Sequence, residues 1–404
     1  SQYVIVQTSP DSARNTGVSY IVVNENGDQT TSIVDVMPIA SVSTRLKIDL
    51  SKTITEGTSG TLYVFPTDAV NNGIINYQFT DKAGQVQSGK IMLSDLGRTR
   101  SDGLTYFEYL TQNAFFTNNQ GEQISFANIF KEVSIQVADG KSFEHAYRVY
   151  DKSGFDKGAS SSTYFYAVMN DITLKSTTTS SLFADFTGGV EGYNGNSDIT
   201  ITLTGYNFAG TLSRSGSEGG QIRNISFNGQ VTGSGFVVNT NSGTITNVTI
   251  DTEGIYSSVL TGDSGLVGGI VGTNKGDGTI ENVSVLGLTI LAPEATVGGV
   301  AGENRGKISI ARVEFYNLAQ QSTESDTETP NDLQTQYNSF SGATVGGVVG
   351  KQTGSSISQV YVYDYNLSSH SSLSRLKGSS VVGALVGSYA ATTGLTITES
   401  FALV

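Results

Sequence analysis

Six carboxylates invite the first chemical reading. Asp251, Glu253 and Asp263 lie close together in the chain, and Glu281, Glu303 and Glu314 recur through the segment that follows. Glycosidases need two carboxylates flanking a sugar bond, and lyases need a carboxylate with a Lys or Arg base. The offsets between these six differ from one stretch to the next, so a solvated surface explains them more simply. A glycan lyase or hydrolase is therefore the alternative, and no catalytic residue is assigned. Only two histidines occur, His145 and His370, with no H-E-x-x-H and no cysteine. A Ser-His-Asp relay, a histidine zinc centre or a thiolate metal site would have almost nothing to be built from.

Two oxygen-rich stretches resemble calcium loops, Asn24-Glu25-Asn26-Gly27-Asp28 and Asn194-Gly195-Asn196-Ser197-Asp198. Neither completes the twelve-residue pattern that ends in Glu, and Asn-Gly turn chemistry accounts for both. Calcium is the one cofactor the sequence raises. Asn224, Asn247, Asn282 and Asn366 sit in N-x-[ST] sequons. The first three hold the same place in a repeat, which predicts amides hydrogen-bonded along a stack and not glycan acceptors. Tyr361, Tyr363 and Tyr365 alternate, and Phe315 and Tyr316 fall at nearly the same place one copy earlier. This spacing predicts an outward aromatic face suited to a sugar ring or a partner, or else a face covered by the insertion at 319–342.

The elements that would position these groups must fit an acidic, glycine-rich chain. It has 404 residues, 48 Gly, 5 Pro and a net charge of -13. That charge repels phosphate backbones and anionic bilayers, so nucleic acid is not expected as a partner. No apolar run approaches the ~18 residues of a membrane span, so membrane insertion is not expected either. A cysteine-free composition rich in Gly, Ser, Thr and Asn predicts an exported, extracellular protein of a bacterial cell surface. Ser1-Gln2-Tyr3 starts directly on strand-like alternation, which predicts that any leader has been removed or lies outside the sequence.

Residues 1–175 read as short alternating runs separated by turn signals, notably 24–28 and 81–84, and predict an antiparallel, β-sandwich-like domain. Within it, Leu104, Phe107, Leu110 and Ala114 are at helical spacing, which places a short helix against the sheet. From residue 176 onward the runs resemble one another. A Gly-rich apolar hexamer recurs, as in Val297-Gly298-Gly299-Val300-Ala301-Gly302, and alternates with a G-x-I-x-N-V strand, as in Gly278-Thr279-Ile280-Glu281-Asn282-Val283. One strand cannot bury its apolar face or satisfy its edges alone, but stacked copies do both, so residues 176–404 predict a parallel β-solenoid. Ile222, Ile245, Ile280, Ile308 and Ile357 would form its inner ladder. Their spacing of 23, 35, 28 and 49 residues requires loops to project at about 316–342 and 364–380.

With the turn Gly272-Thr273-Asn274-Lys275-Gly276 joined to the strand at 278–283, residues 265–285 resemble the GLUG repeat of bacterial surface proteins. That repeat also occurs in the non-catalytic part of immunoglobulin A-cleaving metallopeptidases of Gram-positive bacteria. The resemblance covers roughly 182–404 and implies a β-solenoid at a cell surface, without a reaction. It leaves open a third reading, a non-catalytic module of a larger surface protease, although no H-E-x-x-H and no L-P-x-T-G-type anchor are present.

The sequence stops on strand material at 397–404 without a polar cap, and Tyr3, Val4, Ile5 and Val6 form an apolar first strand. Together they predict self-association, the first strand adding to a neighbour's sheet and Phe401, Leu403 and Val404 presenting an open coil. The expected function is a structural or adhesive surface protein, non-enzymatic, whose expected partners are further copies of itself and a host or cell-wall glycan or protein.

Overall fold

The computed structural model describes strand segments only up to Asn71, at 3–6, 18–19, 21–23, 33–38, 46–49, 59–66 and 70–71. From Ile74 it describes all residues except 93–94, 138–139, 177–179, 217–218, 320–334, 355, 367–373 and 391–395. The chain is mostly β and divides into two compact units, Ser1–Asp139 and Gly140–Val404.

The first unit holds two sheets. In one, Tyr3–Val6 lies between Ile21–Val23, antiparallel, and Ser59–Pro66, parallel; Lys131–Val137, Ile33–Pro38 and Leu46–Asp49 extend the sheet. Ile21–Val23 and Ile33–Pro38 do not pair with each other, so the stretch at 24–28 joins no hairpin; the stretch itself lies outside the described residues. The other sheet is antiparallel and centred on the hairpin Ile74–Thr80 with Val86–Met92. Its turn follows from Asp81, whose carboxylate accepts the backbone N–H of Gln85 and Ala83, and from Gly84 at φ 78°. Helix Tyr106–Asn113 starts at a capping box: the Thr105 side chain accepts from Glu108 N–H, and Glu108 accepts from Thr105 N–H. Phe107 and Leu110 then pack with Ile75, Ile91 and Phe126, so the described core of this unit is a sheet covered by helix.

The second unit is a stack of parallel coils. One main sheet runs from Tyr147–Val149 to Phe401–Leu403, and a second from Phe183–Phe186 to Val386–Tyr389. The stacking begins earlier than the glycine-rich repeats. Of the strands that alternation alone assigned to the antiparallel domain, Tyr147–Val149 pairs parallel with Phe165–Val168, which pairs parallel with Gly189–Gly192, and Ile172–Lys175 pairs parallel with Thr200–Gly205. Alternation reports one buried face and not strand direction, hence the difference. At this end the core is aromatic: Phe155, Tyr166, Phe183, Phe186 and Phe208 interlock at ring distances of 4.9–6.4 Å. Further along it becomes the aliphatic ladder, with Ile222, Ile245, Ile280, Ile308 and Ile357 paired in register and buried.

Paired glycines mark the corners between the two sheets, for reasons of space. A Cβ on Gly269 would collide with the carbonyl oxygen of Gly299 in the next coil, and one on Gly299 with that of Gly347.

Candidate functional site

The repeat-locked asparagines fall on two rows. In strands Gln221–Thr232, Thr244–Ile250 and Thr279–Leu286, residues Asn224, Asn247 and Asn282 adopt φ of 49°, 52° and 52°. Asparagine tolerates this left-handed conformation better than other side chains do. The kink turns the chain so that Ile245 and Val248, three apart, both point inward, where an unbroken strand would place them on opposite faces. Asn247 Nδ2 donates to Asn224 Oδ1 at 2.9 Å, and Asn282 Nδ2 to Asn247 Oδ1 at 3.4 Å. Ile310, Gln359 and Glu399 continue the row at φ of 54°, 53° and 50°.

A second row ends the strands of the smaller sheet and is fully buried. Asn241 donates to Asn274 at 2.9 Å, Asn274 to Asn304 at 2.8 Å, and Asn304 to Gln352 at 3.1 Å. Each side chain thus satisfies the next coil, and the row ends at Gln352 Nε2, which has no partner among the described residues. The sequence showed these asparagines only as turn residues. Their fixed place two residues before a recurring glycine was the available signal.

Residues 263–291 are a GLUG motif. It spans one coil: a main-sheet strand, the glycine corner, the strand ending in Asn274, and the strand carrying Asn282. The Asn-Lys-Gly turn of the GLUG coil therefore holds the buried amide row, and its I-x-N-V strand holds the positive-φ row. No curated protein and no solved structure matches the chain.

Three of the six carboxylates are engaged by neighbouring groups. Asp251 accepts from its neighbour Thr252 N–H at 2.7 Å. Glu303, although it points outward, is buried: Arg305 Nη2 lies 2.8 Å away, Lys351 Nζ 3.5 Å, and the Thr353 hydroxyl donates at 3.3 Å. Glu314 is also buried and accepts from the Tyr316 hydroxyl and, at 3.4 Å, from the Tyr361 hydroxyl. Burial first, then the bond to Glu314, pushes the Tyr316 pKa up. Among the described residues no cluster of three or more His, Asp or Glu could hold a metal. Asn196 and Asp198 instead close a local turn, Asp198 N–H donating to Asn196 Oδ1 at 3.0 Å.

The aromatic candidates pair with one another or lie in the core. Phe315 does not reach the expected outward face, being fully buried against Phe340 at 4.8 Å and in register with buried Asp364, one residue off the tyrosine positions. Tyr361 stacks on Phe401 at 5.3 Å and 3°, and Tyr316 on Tyr365 at 5.0 Å and 11°. Tyr363 meets Tyr365 edge to face at 4.7 Å. These rings lie against one another, while Tyr365 and Phe401 each remain 55% exposed. Behind them Arg375, absent from the sequence reading, binds Asp364 through Nε and Nη2 at 2.9 and 3.0 Å. It also donates to the carbonyls of Tyr316 and Asn338, tying both insertions to the stack. No repeat signal marks it, because it belongs to an insertion.

Of the two assembly candidates, the first is paired within the chain. Tyr3, Val4, Ile5 and Val6 form a strand with neighbours on both edges, so its backbone is not free to join another sheet. Phe401, Leu403 and Val404 are exposed, and Ile397 is 40% exposed where Ile357 is 1%.

Proposed function

We propose that the chain is a non-enzymatic structural or adhesive protein of a bacterial cell surface, a stiff GLUG-repeat spacer that associates with further copies of itself. The amide rows carry this reading. The motif's polar side chains hydrogen-bond to their counterparts in the next coil, which supports a scaffold whose recurring chemistry is cohesion between coils. In the coil at 376–403, Val382, Ile397 and Phe401 are exposed at positions aligned with residues buried or stacked in the coil before, a face that one more coil, of this chain or of another copy, would cover. Strand edges of that kind add a further strand readily. Light scattering on the purified chain, with antibody labelling of intact producing cells, tests both parts. Oligomers that Ile397→Lys dissolves and surface labelling are expected. A monomer at every concentration would remove the assembly, and label only in lysed cells would remove the surface location.

A further inference from the structure

One feature of the second unit is not used by the stack. An open groove of about 530 Å³ lies along the outer side of the strands ending at Asn241, Asn274 and Asn304. Its size falls in the range of ligand sites, about 300–1,000 Å³. Thr240 and Thr273, register neighbours, line it with hydroxyls, and Leu266 supplies an apolar patch. The turn Lys275-Gly276-Asp277 forms one rim, and Glu303 with Arg305 the far end.

The charge of this groove opposes that of the chain. Glu303 is neutralised by Arg305 and Lys351, so it does not repel an anion. Arg214 reaches the same rim, its Nη2 donating to the Asp277 carbonyl at 3.3 Å. Lys275 makes no ion pair among the described residues, leaving its ammonium available beside the two hydroxyls. Four cations therefore surround two carboxylates in a protein of net charge -13.

We propose that this groove binds an acidic oligosaccharide, Lys275 pairing with a uronate carboxylate while Thr240 and Thr273 hydrogen-bond sugar hydroxyls. Threonine hydroxyls both donate and accept, as a polyol requires, and Leu266 offers a surface for the C–H face of a ring. Adjacent coils are about 4.8 Å apart, so a groove across three of them is about 10 Å long, more than one sugar ring. The proposal names the ligand of the adhesive reading above and rests on it only for where that ligand is met.

The test is calorimetric titration of the full chain with uronate oligosaccharides (trigalacturonate, an alginate trimer, a hyaluronan tetramer), with methyl-esterified trigalacturonate and with inorganic phosphate. Saturable binding of at least one acidic sugar is expected, lost on esterification and weakened at least about tenfold by Lys275→Glu and by added salt. Lys275 is exposed in a turn, so that variant keeps the fold; Thr273→Val weakens binding while preserving the charge. The proposal is overturned if no acidic sugar binds at millimolar concentration, if Lys275→Glu binds as well as the parent, or if phosphate binds equally. Any of these leaves the scaffold reading to its own test by light scattering.

Discussion

Ile310 is the sharpest test of the coil physics, because it occupies a position that the other coils give to Asn, Gln or Glu. Its φ is 54° and its side chain is 43% exposed. A non-glycine residue pays roughly 1–2 kcal/mol for the left-handed conformation, and a β-branched one sits at the upper end. Ile310→Asn relieves most of that and places an amide beside Asn282, a half-exposed hydrogen bond contributing about 0.5 kcal/mol. Against this, the half of the isoleucine that is buried contributes about 1 kcal/mol of apolar transfer. The net expectation is stabilisation of about 0.5–1.5 kcal/mol, read as a higher urea midpoint at unchanged m. The reverse change, Asn282→Ile, brings in the strain and removes the bond to Asn247, and should lower stability by about 2 kcal/mol. Equal or lower stability of Ile310→Asn would refute the view that the positive-φ row selects asparagine.

Two further outcomes follow from buried groups. Arg375→Met strands the Asp364 carboxylate and should destabilise the coils around both insertions by about 3–5 kcal/mol, with loss of amide-exchange protection at Tyr316 and Phe340. Adding Asp364→Leu should recover much of it, and protection unchanged in the single variant would show the pair to be idle. Tyr166, by burial, and Tyr316, by burial and Glu314, both have pKa values raised above 10.0. The folded state then keeps protons that the unfolded state has released, so stability is intact below about pH 10 and falls as pH rises toward the raised values. Tyr166→Phe and Tyr316→Phe should flatten that alkaline loss in denaturant titrations; an unchanged slope would contradict the assignment.

What was legible depended on recurrence. The isoleucine ladder and the Asn224, Asn247 and Asn282 row could be read from the sequence because each coil repeats the same residue for the same neighbour. The second row was half visible, since Asn274 and Asn304 recur but nothing local distinguishes a turn amide from a buried one. Arg375, the burial of Glu303 and the placing of Phe315 were not legible. Arg375 belongs to an insertion, Glu303 is covered by Lys351 and Thr353 of the next coil, and Phe315 packs on Phe340, which follows an insertion.

The sequence by itself determined that the second half is a stack of parallel strands, because glycine corners and inward aliphatics at a repeated place admit few other ways of covering strand edges. Only the tertiary structure decided where stacking starts, since Tyr147–Val149 alternates like any half-buried strand and takes its direction from Phe165–Val168. Tertiary structure also decided which groups stay available: pairing on both edges takes up the backbone of Tyr3–Val6, Tyr361 stacks on Phe401 and Tyr316 on Tyr365, and Lys275 is left facing an open groove. Exposure is a property of neighbours, and in a solenoid those neighbours are a coil away in sequence.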